Sequence, residues 1–190
     1  MSNPVLFKYG IAEKWELRLA SDGYIKNSDR QGIANTEFGF KYHSQNRDPA
    51  TGAPSIGWIA QFQTPIASPN LKSSQVLPSF RSVITWEFTH EFALGLMPGL
   101  GQQVNDTGQA FTAGIFGAVL NKKLGDSARF FTELSVPSIS RSNQNGVVIS
   151  ADIGGAYLFN KETQLGFRAG VGLNPNSPKN YGLLEVAQRF

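Results

Sequence analysis

From Asn145 to Phe190 the chain alternates apolar and polar residues so regularly that few folds can hold it. Val147, Ile149, Ala151, Ile153, Tyr157 and Phe159 fall on one parity, and Ser150, Asp152, Gly154 and Ala156 on the other. After a short turn, Leu165, Phe167, Ala169, Val171 and Leu173 oppose Gln164, Gly166, Arg168, Gly170 and Gly172, and the last segment sets Leu184, Val186 and Phe190 against Glu185, Ala187 and Arg189. Successive side chains of a strand point to opposite faces, whereas a helix would scatter both sets around its axis. Three strands are therefore expected here, each near the roughly 9 to 11 residues that cross a bilayer as a tilted strand.

The same period runs through the rest of the chain. Val5, Phe7, Tyr9 and Ile11 alternate with Leu6, Lys8 and Gly10; a tight Ala12-Glu13-Lys14 turn follows, and Trp15, Leu17 and Leu19 then oppose Glu16, Arg18 and Ala20. Further strands are read around Thr36–Tyr42, Ile56–Phe62, Phe80–Phe88, Phe92–Leu96, Phe111–Leu120 and Ala128–Val136, eleven in all. Gly114 and Gly117 weigh against a helix in the Phe111 segment. Short turns roughly alternate with longer polar loops, among them SDGYIKNSDRQG, the proline-rich stretch from Pro65 to Pro78, PGLGQQVNDTG and PSISRSNQNG; HSQNRDPATGAP is long where a short turn is expected. The order predicts one all-β domain over residues 1–190, an up-and-down antiparallel meander.

Composition narrows the function. Seventeen basic residues against 14 acidic ones, a formal +3 without a basic block, give no footprint for nucleic acid. Cysteine is absent, which removes disulfides and thiolate metal sites. No run approaches the ~18 apolar residues of a membrane helix, and the first residues lack the pattern of a signal peptide. The mid-strand charges Lys8, Glu16, Arg18, Glu37, Lys41, Arg81, Glu87, Arg129, Glu133, Asp152, Arg168, Glu185 and Arg189 all lie opposite the apolar face of their strand.

A soluble lipocalin-like barrel or sandwich would also alternate, with its polar face in water. Three features favour the inside-out arrangement, a transmembrane β-barrel with those charges lining the lumen. Aromatics gather near strand ends on the apolar face (Tyr9, Trp15, Tyr42, Trp58, Trp86, Tyr157, Phe159 and Phe190), as a pair of interfacial girdles would require. Small residues recur on the polar face, at Gly10, Gly39, Gly57, Gly154, Ala156, Gly166, Gly170 and Gly172, where a narrow lumen must hold Arg and Glu side chains. The final strand closes on Phe190.

The segment LFKYGIAEKWELRL, then TEFGFKYH, then the strand ending Phe62-Gln63-Thr64-Pro65, then FFTELS and GGAYLFNKETQLGFRAGVGLN with a last strand ending Arg189-Phe190, resembles the outer-membrane barrels of the MetA-pathway of phenol degradation family. The resemblance spans essentially the whole chain and rests on strand patterns rather than catalytic signatures. It implies a Gram-negative outer-membrane location and a transporter-like role in uptake of small, aromatic or hydrophobic molecules. It also implies a signal peptide and a further strand ahead of Val5–Ile11, twelve in all, with short turns and Phe190 on the periplasmic side. The outer-membrane assembly machinery would recognise the last strand, although Gln188 replaces the usual apolar residue there.

Catalysis is not expected. His43 sits beside a loop and His90 in a turn, so neither gathers metal ligands or a nucleophile. The run GLMPGLG lacks the lysine and helix of a phosphate loop, and Asn105-Asp106-Thr107 matches a glycosylation acceptor by composition alone. No cofactor is expected, and the partners are the lipid bilayer, the assembly machinery and a small solute. Twelve strands are too few for a wide aqueous channel. The lumen charges either line a selective path or form ion pairs that fill a non-transporting barrel whose loops bind a surface.

Overall fold

In a computed structural model the described residues are 1–26, 31–73, 75–105, 107–144 and 146–190. Fourteen strands follow one another: β1 (Val5–Ala12), β2 (Trp15–Ser21), β3 (Tyr24–Lys26), β4 (Gln31–Ile33), β5 (Thr36–Gln45), β6 (Ser55–Thr64), β7 (Leu77–Glu87), β8 (Phe92–Leu96), β9 (Gly99–Val104), β10 (Ala110–Leu124), β11 (Ala128–Ile139), β12 (Val148–Leu158), β13 (Thr163–Gly172) and β14 (Asn180–Gln188). All but β3 and β4 join one antiparallel sheet in the order β1-β2-β5-β6-β7-β8-β10-β11-β12-β13-β14, with β9 also between β7 and β10. Since β8 and β9 share one place, the sheet has eleven strand positions, the number expected from the alternation.

Along the sheet each strand pairs with a near neighbour in sequence, β2 reaching β5 past the β3–β4 hairpin and β8 reaching β10 past β9. The β1–β2 turn holds only two residues between Ala12 and Trp15. At the β12–β13 turn the Asn160 carboxamide oxygen accepts the backbone N–H of Glu162 and of Thr163, both at 2.8 Å, an Asx turn that reverses the chain without long-range help. Gly125, at φ 69°, supplies the left-handed residue between β10 and β11.

Three loops are more ordered than their composition predicts. PGLGQQVNDTG is mostly strand: Gly99–Val104 pairs with β10 from Ile115 to Ala110 and with β7 from Arg81 to Ser79. Pro98 breaks it from β8 because proline has no N–H for the ladder, while Met97 keeps both its bonds to Gly117 and the Pro98 carbonyl accepts the Ser82 N–H at 2.9 Å. Beyond it the Asn105 N–H donates to the Gln109 carbonyl at 3.0 Å; Asp106 of the Asn-Asp-Thr triplet lies outside the described residues, as does Asn145. The polar loop after β2 carries the β3–β4 hairpin, paired from Tyr24↔Ile33 to Lys26↔Gln31, its tip at 27–30 being outside the described residues. Strand β11 runs on through Pro137 to Ile139, passing the proline at a register shift, the place where a strand tolerates it.

The long segment between β5 and β6 behaves as a short turn with a built tip. Asp48 pairs with Ala53, and its carboxylate accepts the Thr51 hydroxyl at 2.8 Å and the Ala50 N–H at 2.9 Å. These bonds, that from Thr51 foremost, hold the Asp48 carboxyl below its ordinary 3.8. A depressed folded-state pKa gives a stabilisation that is complete above the unfolded value and is lost as pH falls through the folded one. Protection of the Ala50 amide from hydrogen exchange is therefore expected to drop once pH falls below 3.8, and Asp48→Ala should abolish that pH dependence.

The sheet curls so that β1 and β14 line one cavity of about 1700 Å³ without pairing. Ten antiparallel steps separate them, so both run in the same direction. Their facing edges are open: Phe7 is exposed on β1, and Leu184 (79%) and Val186 (75%) on β14. Among the described residues no helix is long and apolar enough to cross a membrane.

Candidate functional site

The concave face carries the polar residues and the convex face the apolar ones. Leu17, Leu19, Phe38, Phe40, Phe62, Phe80, Leu120, Phe130, Ile153, Leu165 and Phe167 are all exposed, whereas Asp152 (3%) and Gln61 (7%) are buried. A water-soluble core would reverse this order. All eight end-of-strand aromatics lie toward one rim, that of the short turns. Trp15 opens β2 and packs on Tyr42 at 4.8 Å between ring centroids, Trp58 stacks on Phe80 at 5.6 Å, and Tyr157 meets Phe159 edge-on at 5.2 Å. Tyr9, Trp86 and Phe190 sit at the same end of β1, β7 and β14. These residues form one girdle rather than two, because strands alternate in direction: residues near the end of one and the start of the next share a rim.

The mid-strand charges gather into two walls. In the first, Glu16, Lys41, Ile59, Arg81 and Gly99 occupy one rung across β2, β5, β6, β7 and β9, and Arg18, Gly39, Gln61, Ser79 and Gly101 the next. Arg18 pairs with Glu16 at 3.3 Å. Gln61 donates to the Glu37 carboxylate at 3.2 Å, and its stem fills the space above Gly39, where a Cβ would stand 2.6 Å from Gln61 Cγ. Arg81 donates to the Ser79 hydroxyl at 3.3 Å. Among the described residues the Nε atoms of Arg18 and Arg81 are buried without a hydrogen-bond partner.

The second wall lies on β11–β14. Arg168 sits 3.5 Å from Glu133 and 3.7 Å from Asp152, whose side chain is fully buried. Tyr181 donates to the other Asp152 oxygen at 2.8 Å. That bond spans two strands: Glu133, Asp152, Gly170 and Tyr181 form one rung, and a Cβ on Gly170 would stand 2.6 Å from the Tyr181 oxygen. Gly154 does the same for Phe131, whose ring passes over it to lie 5.4 Å beneath the Arg168 guanidinium.

Between the walls β10 turns an apolar strip inward, with Phe111 and Ala113 buried. Of the remaining lumen candidates, Lys8, Arg129 and Glu185 line the large cavity near the open edges. Glu87 pairs with Arg47 at the short-turn rim, and Arg189 lies just beyond β14, its N–H bonded to the Glu162 carbonyl at 2.8 Å. His43 bonds Asn46 at 2.7 Å. Among the described residues no group of three or more His, Asp or Glu is placed to hold a metal. Tyr181 and Gln61 were not singled out by charge, although Tyr181 shares the parity of Glu185 along β14.

A family model described as "Putative MetA-pathway of phenol degradation" matches residues 2–190. The chain belongs to this family. The match to the phenol-degradation family covers both walls, the aromatic rim and both edge strands, and agrees with the resemblance read from the strand patterns. No curated protein matches the chain.

Proposed function

We infer that the chain is a non-catalytic outer-membrane barrel that admits small, aromatic or otherwise hydrophobic molecules to the bacterial cell. The observation that carries this reading is the outward apolar face with its aromatic rim, surrounding a lumen that holds charge. A sheet of this kind is unfavourable in water and favourable in lipid, where apolar residues face the chains and aromatics sit at the headgroups. The family's link to phenol degradation supports a small aromatic solute, and the apolar strip of β10 between two polar walls offers an amphipathic molecule both kinds of surface. In this orientation the short turns and Phe190 face the periplasm, and the assembly machinery engages β14.

The second reading, a barrel closed by its own ion pairs, is favoured by one feature, the full burial of the Asp152 side chain. Reconstitution in lipid vesicles separates the two. Under the channel reading, Arg81→Ala with Arg129→Ala changes conductance or phenol entry by several-fold. Under the plugged reading it lowers thermal stability and leaves permeation at the level of empty vesicles. A wild-type chain that stays folded and strand-rich in plain buffer, and enters neither micelles nor vesicles, would refute both.

A further inference from the structure

Inside the sheet, toward the long-loop end, a second cavity of about 200 Å³ lies among β5, β6, β7, β9, β10 and β11. Its lining combines the polar Arg81, Ser79 and Gln61 with the apolar Leu77, Ile115 and Pro137. Gly101 keeps the space open, since a Cβ there would stand 3.0 Å from Ile115 Cδ1 and 3.2 Å from Ser79 Cβ.

The guanidinium in this cavity is sparsely bonded. A guanidinium has five N–H donors, and among the described residues Arg81 has one hydrogen-bond partner, the neutral Ser79 hydroxyl, with Nε buried and unbonded. The Arg18 guanidinium is taken by Glu16, and the Glu37 carboxylate, which borders the same cavity, accepts from Gln61. No described carboxylate lies within 4.0 Å of Arg81. Among the described residues, Arg81 is the one cation that lines the cavity and Glu37 the one carboxylate, with Lys41 outside it.

A planar guanidinium edge matches a carboxylate with two parallel bonds, and a cavity of roughly 150 Å³ suffices for a benzene ring. We propose that this cavity is a binding subsite for a small planar monocarboxylate of single-ring size, its carboxylate on Arg81 and its ring against Leu77, Ile115 and Pro137. The subsite rests on the reading of the lumen as a solute path and narrows it to acids over the corresponding neutral rings.

The test is calorimetric titration of the full chain, folded in detergent micelles, with benzoate and with phenol. Wild type is expected to bind benzoate saturably. Arg81→Gln should weaken benzoate by at least about tenfold, the loss of a charged hydrogen-bonded pair, and change phenol by less than about twofold. Ile115→Trp, which fills the cavity and keeps the guanidinium, should abolish benzoate binding. Absence of binding by wild type, or equal affinity in Arg81→Gln, overturns the subsite. Should Arg81→Gln fail to show the heat-modifiable migration of a folded barrel, Ile115→Trp decides, and retained benzoate affinity in it overturns the subsite. Vesicle permeation is read separately: a protein that binds benzoate through Arg81 but does not permeate removes the transport reading and leaves the subsite, and a permeable protein indifferent to benzoate does the reverse.

Discussion

Asp152→Ala is expected to destabilise the folded protein by about 3 kcal/mol, the lower end of the cost of breaking a buried ion pair from one side. The Asp152 side chain is fully buried, and its removal leaves Arg168 facing Glu133 alone and takes from Tyr181 its shorter hydrogen bond. The lower end applies because Arg168 keeps 28% of its side chain exposed, so water compensates part of the loss. Tyr181 retains only the Ser150 hydroxyl at 3.3 Å. Asp152→Asn should cost less, because its amide oxygen still accepts from Tyr181. Urea unfolding in micelles, followed by tryptophan fluorescence, reads both; an unchanged midpoint for Asp152→Ala would mean that the second wall does not hold β11–β14 together.

Phe40→Arg tests which face meets lipid. Phe40 lies mid-strand on β5, cross-strand from Leu17 and Ala60, with 44% of its surface exposed. In a bilayer an outward arginine near the midplane costs about 2–4 kcal/mol, so the yield of folded protein in vesicles should collapse. On a wet surface the same change falls within about 0.5 kcal/mol. Lys41→Arg, one residue along on the inner face, should fold like wild type. Equal folding of Phe40→Arg and wild type in vesicles would invert inside and outside.

The eleven positions of the large sheet are legible because period-two alternation is a local signal, and in Trp15–Ala20, Thr36–Tyr42 and Leu165–Leu173 nothing competes with it. Gly99–Val104 escaped because glycine, glutamine and a preceding proline mark a loop; its strand state comes from neighbours on both sides, β7 and β10, that residue type does not reveal. The β3–β4 hairpin escaped for a related reason: three-residue strands are too short for a period. Parity groups the charged residues on one face of each strand but does not give their partners. Which carboxylate meets Arg168, and that Arg81 meets none, depends on register between strands. The reach of Tyr181 across Gly170 depends on a side chain that is missing, and absence has no pattern in a sequence until the rung is known.

The open edges between β1 and β14 bear on how fast such a chain could order itself. Every pairing in the sheet joins strands that follow one another or are parted only by β8, by β9 or by the β3–β4 hairpin, so assembly can proceed locally along the chain. Pairing the first strand with the last would be the sole contact spanning the whole chain, and closing a loop of that length costs on the order of 5 kcal/mol in entropy. With the edges apart, that cost is absent from the ordering of the eleven positions, and the contact order stays low for an all-β protein. Any later bridging of the edges would then be a separate, slower step acting on an already ordered sheet.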